Sequence, residues 1–110
     1  MQINDYKIQK YTKIIDSNAS IYPKIFIYKD RGILYLKKNL FTEAIDDFTQ
    51  NIELSKEINN KKRVNLFTNR ELGVAYFYRG YAYAKNNYLK LAIEDLIKQL
   101  NLILRVLIII

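Results

Sequence analysis

The sequence predicts an all-α chain of antiparallel helix pairs, stacked as a short solenoid. Three observations carry this reading. Turn formers are scarce: 110 residues hold three Gly and one Pro, whereas a sheet protein needs turn residues at every hairpin. Apolar residues recur at steps of three and four, which lines one face of a helix. The chain also overlays on itself without gaps at a spacing of 48 residues, pairing Tyr28 with Tyr76, Arg31 with Arg79, Gly32 with Gly80, Tyr35 with Tyr83, Asn39 with Asn87, Ala44 with Ala92 and Ile45 with Ile93. Internal repeats of this size point to stacked units.

Five helices are expected, near 4–18, 22–38, 41–57, 68–86 and 88–104. In the first, Tyr6, Ile8, Tyr11, Ile14 and Ile15 supply the apolar positions, and Asp16-Ser17-Asn18 would end it. Ser20 and Pro23 then resemble a helix start. Ile25, Tyr28, Gly32 and Tyr35 form the face of the second helix. Asn39 breaks the pattern and is read as the N-cap of the third, whose apolar face is Ala44, Ile45, Phe48 and Ile52. Tyr76, Gly80, Tyr83, Asn87, Ala92, Ile93, Leu96 and Leu100 repeat the scheme. A glycine in mid-helix costs up to ~1 kcal/mol relative to Ala. Gly32 and Gly80 therefore imply close approach of the neighbouring helices that carry Ala44 and Ala92, with tyrosines filling the space around them.

An aromatic residue, Gly four on, Tyr three further, then Ala-x3-aromatic resembles the tetratricopeptide-repeat signature. Tyr28-x2-Arg31-Gly32-x2-Tyr35 with Ala44-x3-Phe48 matches it, and Tyr76-x2-Arg79-Gly80-x2-Tyr83 with Ala92-x3-Leu96 matches nearly as well. The resemblance covers roughly residues 5 to 102 of a single domain spanning 1–110, as a half repeat at 4–18, repeats at 22–57 and 68–104, and an apolar tail at 103–110. The helix-ending Pro is missing after both second helices. The spacing also exceeds the usual ~34 residues, and the surplus falls between Ser55 and Leu72. Thr68-Asn69-Arg70-Glu71 reads as a capping box there, with both flanking helices lengthened and their basic junction, Lys61-Lys62-Arg63, protruding.

Composition excludes several chemistries. With no Cys and no His, disulfides, thiolate catalysis, Cys/His zinc sites and imidazole bases are ruled out. No phosphate-binding Gly loop and no calcium-loop spacing of acids occurs. The adjacent carboxylates Asp46-Asp47 and Glu94-Asp95 read as solvated helix faces. Catalysis, a metal and a cofactor are accordingly not expected. The net charge is +7, but Lys is scattered, and Ile, Asn, Lys and Tyr, residues with AT-rich codons, make up nearly half the chain. The first residues are not a signal peptide, and the apolar C-terminus is too short to span a membrane. A cytoplasmic location follows as an expectation.

The resemblance implies a non-enzymatic module whose first helices line a concave groove for a peptide or protein segment. On that mapping Phe26, Lys29, Asp30, Ile33 and Lys37 face the groove from one repeat, and Phe77, Tyr78, Tyr81 and Lys85 from the next. Tyr28, Tyr35, Tyr76 and Tyr83 are expected in the core. The Lys and Asn set that would clamp a C-terminal carboxylate is not found. A nucleic-acid partner at Lys61-Lys62-Arg63 is the alternative, and a solvated junction outweighs it. The partner itself is unknown. The tail from Leu102 to Ile110, eight aliphatics around Arg105, is expected either to extend the last helix against Tyr76–Tyr83 or to pair two chains.

Overall fold

Asp5 opens the first helix. Its carboxylate accepts the backbone N–H of Lys7 at 2.8 Å and of Ile8 at 3.4 Å, two of the donors that a helix start leaves free. The computed structural model describes residues 5–61 and 66–109, and within them five helices and no strand. They are α1 (Tyr6–Ile15), α2 (Ile21–Lys37), α3 (Phe41–Lys61), α4 (Leu66–Lys85) and α5 (Leu89–Ile109). The surplus residues enter both flanking helices, with α3 running to Lys61 and α4 under way by Leu66. Lys62 and Arg63, and with them the expected protruding tip, lie outside the described residues.

Each helix packs antiparallel on the next. The pairs Asp5–Lys38 and Thr12–Arg31 join α1 to α2, Asn51–Ile25 and Asp47–Arg31 join α2 to α3, and Asn59–Asn69 and Thr49–Arg79 join α3 to α4. Arg79–Asp95 then joins α4 to α5. In the first three junctions residue numbers rise in one helix as they fall in the other, and Asn69–Val74 beside Leu102–Leu107 extends the same register to α4 and α5. Helix α2 also meets α4, through Lys29 and Glu71. The body is flat, 46 × 35 × 18 Å, and its thickness suits two layers of helices ~10 Å in diameter.

The close approach expected at the two glycines is present. A side chain begun at Gly32 would meet the Phe48 ring at 2.9 Å, and one at Gly80 would meet the Ala92 carbonyl oxygen at 3.2 Å. Ala44, Phe48 and Ala82 form one buried cluster and Ile52, Leu72, Ala75 and Tyr76 another. Tyr28, Tyr35 and Tyr83 are half-buried around them, as inter-helix filling.

Three local expectations are corrected. Asn39 does not cap α3; it closes α2. Its φ is 59° and that of Asn87 is 64°. Asn39 N–H bonds the Leu36 carbonyl at 3.0 Å and Leu40 N–H bonds that of Tyr35 at 2.9 Å. Asn87 and Tyr88 repeat this on Ala84 and Tyr83 at 3.1 and 2.8 Å. This is the Schellman closure, with Asn in the left-handed position that Gly usually takes. Nor does Thr68-Asn69-Arg70-Glu71 start a helix: α4 is already running, and Thr68 and Glu71 are buried against its neighbours. The tail does continue α5, but the antiparallel register carries it past Tyr76–Tyr83 to the beginning of α4. Leu102 packs against the Ile52–Tyr76 cluster, and Ile103 and Leu107 lie beside Asn69, Arg70, Gly73 and Val74. Among the described residues no helix is long and apolar enough to cross a membrane.

Candidate functional site

The residues expected in the groove separate into an inward and an outward set. Ile33 packs on the Ala44–Phe48–Ala82 cluster. Tyr78 does the same, its ring stacked on Phe48 with centroids 5.5 Å apart and an angle of 12°. These two are core between α2, α3 and α4. Lys29 donates to Glu71 Oε1 at 2.8 Å and lies 5.4 Å over the Phe26 ring, so its charge is already matched. Asp30 is half-buried.

The outward set is Phe26 and Lys37 on α2 and Phe77, Tyr81 and Lys85 on α4. Phe77 is 43% and Tyr81 46% exposed. Phe77 is not loose, since it meets Tyr78 edge-on at 5.5 Å, and Tyr78 is anchored on Phe48. The Lys85 ammonium sits 5.7 Å over the Tyr81 ring. Steps of four place Phe77, Tyr81 and Lys85 in one row along α4. The Lys29–Glu71 bridge sets α2 beside α4, and Lys37 is exposed two turns beyond Lys29 on α2. The outward set is thus exposed aromatic rings and lysines on two helices that meet.

What holds those helices in place was misread from the sequence as solvated carboxylate. Asp47 and Asp95 are buried, and each is gripped by a two-pronged guanidinium. Arg31 donates to Asp47 through Nε at 2.8 Å and Nη2 at 2.7 Å, and Arg79 to Asp95 through the same atoms at 2.8 Å each. The third nitrogen bonds a threonine of the preceding helix, Thr12 at 3.0 Å for Arg31 and Thr49 at 3.1 Å for Arg79. Tyrosine rings flank both cations: Tyr28 and Tyr35 at 5.8 and 5.6 Å, Tyr76 and Tyr83 at 5.6 Å each. Asp46 and Glu94 are the solvated members of the acidic pairs. Its hydrogen bond to Asp47 holds Arg31 above its ordinary value, while burial pushes the Asp47 carboxyl up despite Arg31. The signal was legible: an Arg followed sixteen residues later by Asp occurs in both units at the same register.

A polar row on α3 also escaped the sequence reading. Asp47, Asn51, Ser55 and Asn59 stand four residues apart, beside the apolar row Ala44, Phe48 and Ile52. Asn51 Nδ2 donates to the Ile25 carbonyl at 2.8 Å, and Asn59 Nδ2 donates to Asn69 Oδ1 at 3.1 Å while its Oδ1 accepts from Thr68. This row ties α3 to both neighbours at the cost of burying amides, each of which is bonded.

Two cavities lie away from the outward set. One, about 380 Å³, is an apolar trough between α4 and α5, lined by Gly73, Val74, Leu102, Ile103 and Leu107 among others. The other, about 480 Å³, is mixed in character and ringed by Lys56, Lys98 and Arg105 with Asn59, Asn69 and Asn101. Comparison with family models, with curated proteins and with solved structures gives no match.

Proposed function

We propose that the chain is a non-enzymatic binding module of tetratricopeptide-like helix pairs stacked as a short solenoid, and that it takes a peptide or protein segment along the face shared by α2 and α4. One observation carries this reading: the half-exposed rings of Phe77 and Tyr81 stand in a row on α4, Phe77 backed by the Tyr78–Phe48 stack and Tyr81 under the Lys85 ammonium. Aromatics held rigid lose little entropy on binding and commonly dominate interface energetics. The cations favour a segment with apolar side chains and acidic neighbours.

Selection from a random peptide library on the purified chain, followed by calorimetry, tests the reading. Selected peptides should combine apolar and acidic residues. Phe77→Ala and Tyr81→Ala should each weaken binding roughly tenfold, the loss expected for a central aromatic anchor. Peptides that bind equally well to both variants would sink the proposal.

A second reading is favoured by the mixed cavity, whose rim gathers Lys56, Lys98 and Arg105 with no carboxylate among its lining residues. It would offer phosphates a cationic rim, as nucleic-acid binding requires. Binding of single-stranded RNA that falls steeply with salt and is lost in Lys98→Glu would favour this over the peptide reading.

A further inference from the structure

Helix α5 carries an apolar seam that nothing among the described residues covers. Leu89, Ile93, Leu96, Leu100, Ile103 and Leu107 follow one another at alternating steps of four and three, a 3.5-residue period. Ile97, Leu104 and Ile108 widen the seam, and all nine side chains are exposed. Glu94, Lys98 and Arg105 share one flank of the helix, Lys90 stands at the edge of the seam in line with Ile108, and Asp95 is buried on Arg79. The nine expose on the order of 900 Å² of apolar surface, against the ~800 Å² that each partner contributes to a standard interface.

The internal repeat says what can cover such a seam. Helix α3 is the counterpart of α5, 48 residues earlier, and its outer face is covered by α4. That face is mixed: Thr49 accepts from Arg79, and Asn59 bonds Asn69 and Thr68. At the same register α5 has Ile97 and Leu107. A further helix of the α4 kind would bring an arginine to Ile97 with no acceptor, and a buried donor left unpaired is costly. The fitting occupant is an apolar helix face, and among the described helices only α5 offers one.

We infer that two copies of this chain pair through α5, seam against seam about a two-fold axis. A two-fold contact is self-complementary and closes after two subunits. The nine seam side chains are all Leu or Ile and bring no polar group into the contact, and the α2–α4 face stays open in both copies.

Light scattering on the purified 110-residue chain tests this. The mass should be twice the 13.1 kDa of one chain. Leu100→Glu places a charge at the centre of the seam, outside the intramolecular core, and should raise the dimer Kd at least tenfold (about 1.4 kcal/mol) with helix content unchanged. Glu94→Lys, on the charged flank, should leave the mass alone. Slower amide exchange at higher concentration, confined to 93–107 in the unaltered chain, should accompany dimerisation and does not depend on any variant folding. A helical monomer at all concentrations overturns the inference. So does a dimer that survives Leu100→Glu, exchange that slows elsewhere instead, or an open-ended series of masses, which would mean head-to-tail contact.

Discussion

Asp47 and Asp95 place a carboxylate out of water, and only the guanidinium opposite makes that tolerable. A buried ion pair adds little net stability over well-packed apolar residues, yet loss of one partner strands the other charge. Arg31→Met should therefore cost about 3–5 kcal/mol in urea unfolding, whereas Arg31→Met with Asp47→Leu should cost much less. Burial already raises the folded-state Asp47 carboxyl, and removing Arg31 raises it further. A carboxyl whose folded value is raised loses stability as pH climbs through the carboxylate range, so the single variant should suffer more at about pH 7 than at about pH 4. Additive costs at neutral pH would mean that the pair is not coupled.

The glycines differ in the same concrete way. A methyl group at Gly73 would meet nothing within 4 Å, whereas at Gly80 it would press on the Ala92 carbonyl. Gly73→Ala should stabilise α4 by roughly 0.5–1 kcal/mol, because Ala has less freedom to lose. Gly80→Leu, by contrast, should cost roughly 1–3 kcal/mol through overpacking. Thermal melts of both variants check the signs; equal shifts would remove the close-approach account of Gly80.

At the scale of elements, five helices were legible because each carries a 3.6-residue apolar face and few breakers. Their ends were less so. Asn is as good a left-handed terminator as it is an N-cap, and residue type alone does not decide between the two. The bonds of Leu40 and Tyr88 back to Tyr35 and Tyr83 do. Thr68-Asn69-Arg70-Glu71 has the letters of a capping box, but tertiary partners on α2 and α3 claim its Thr and Glu. Among the described helices, α1 packs only on α2 and depends on Asp5. The Lys7 amide, followed by Ile8 and Lys38, draws the Asp5 carboxyl below its ordinary value. A depressed carboxyl contributes stability that is present above the ordinary range and is lost as pH falls through the folded value. On acidification, α1 should lose amide protection before α3 does, and Asp5→Ala should make α1 protection independent of pH in that range. Simultaneous loss in all helices would show that Asp5 has no such local role.

Across the whole molecule, the repeat register foretold which helices would meet at the glycine contacts, though at Gly32 the residue met is Phe48. It was less informative about the outward face, because the sequence cannot tell a tyrosine that stacks on Phe48 from one that faces water. Tyr78 and Tyr81 look alike in the chain and differ only in which side of α4 they occupy. One feature reaches beyond equilibrium structure: every helix touches its neighbour in the chain, and the longest link joins α2 to α4 across one helix. No distant segments must find each other before favourable contacts form, so loop-closure entropy is small at each step. The chain should fold rapidly, zipping outward from α3, the helix with partners on both sides, and its two ends should join last.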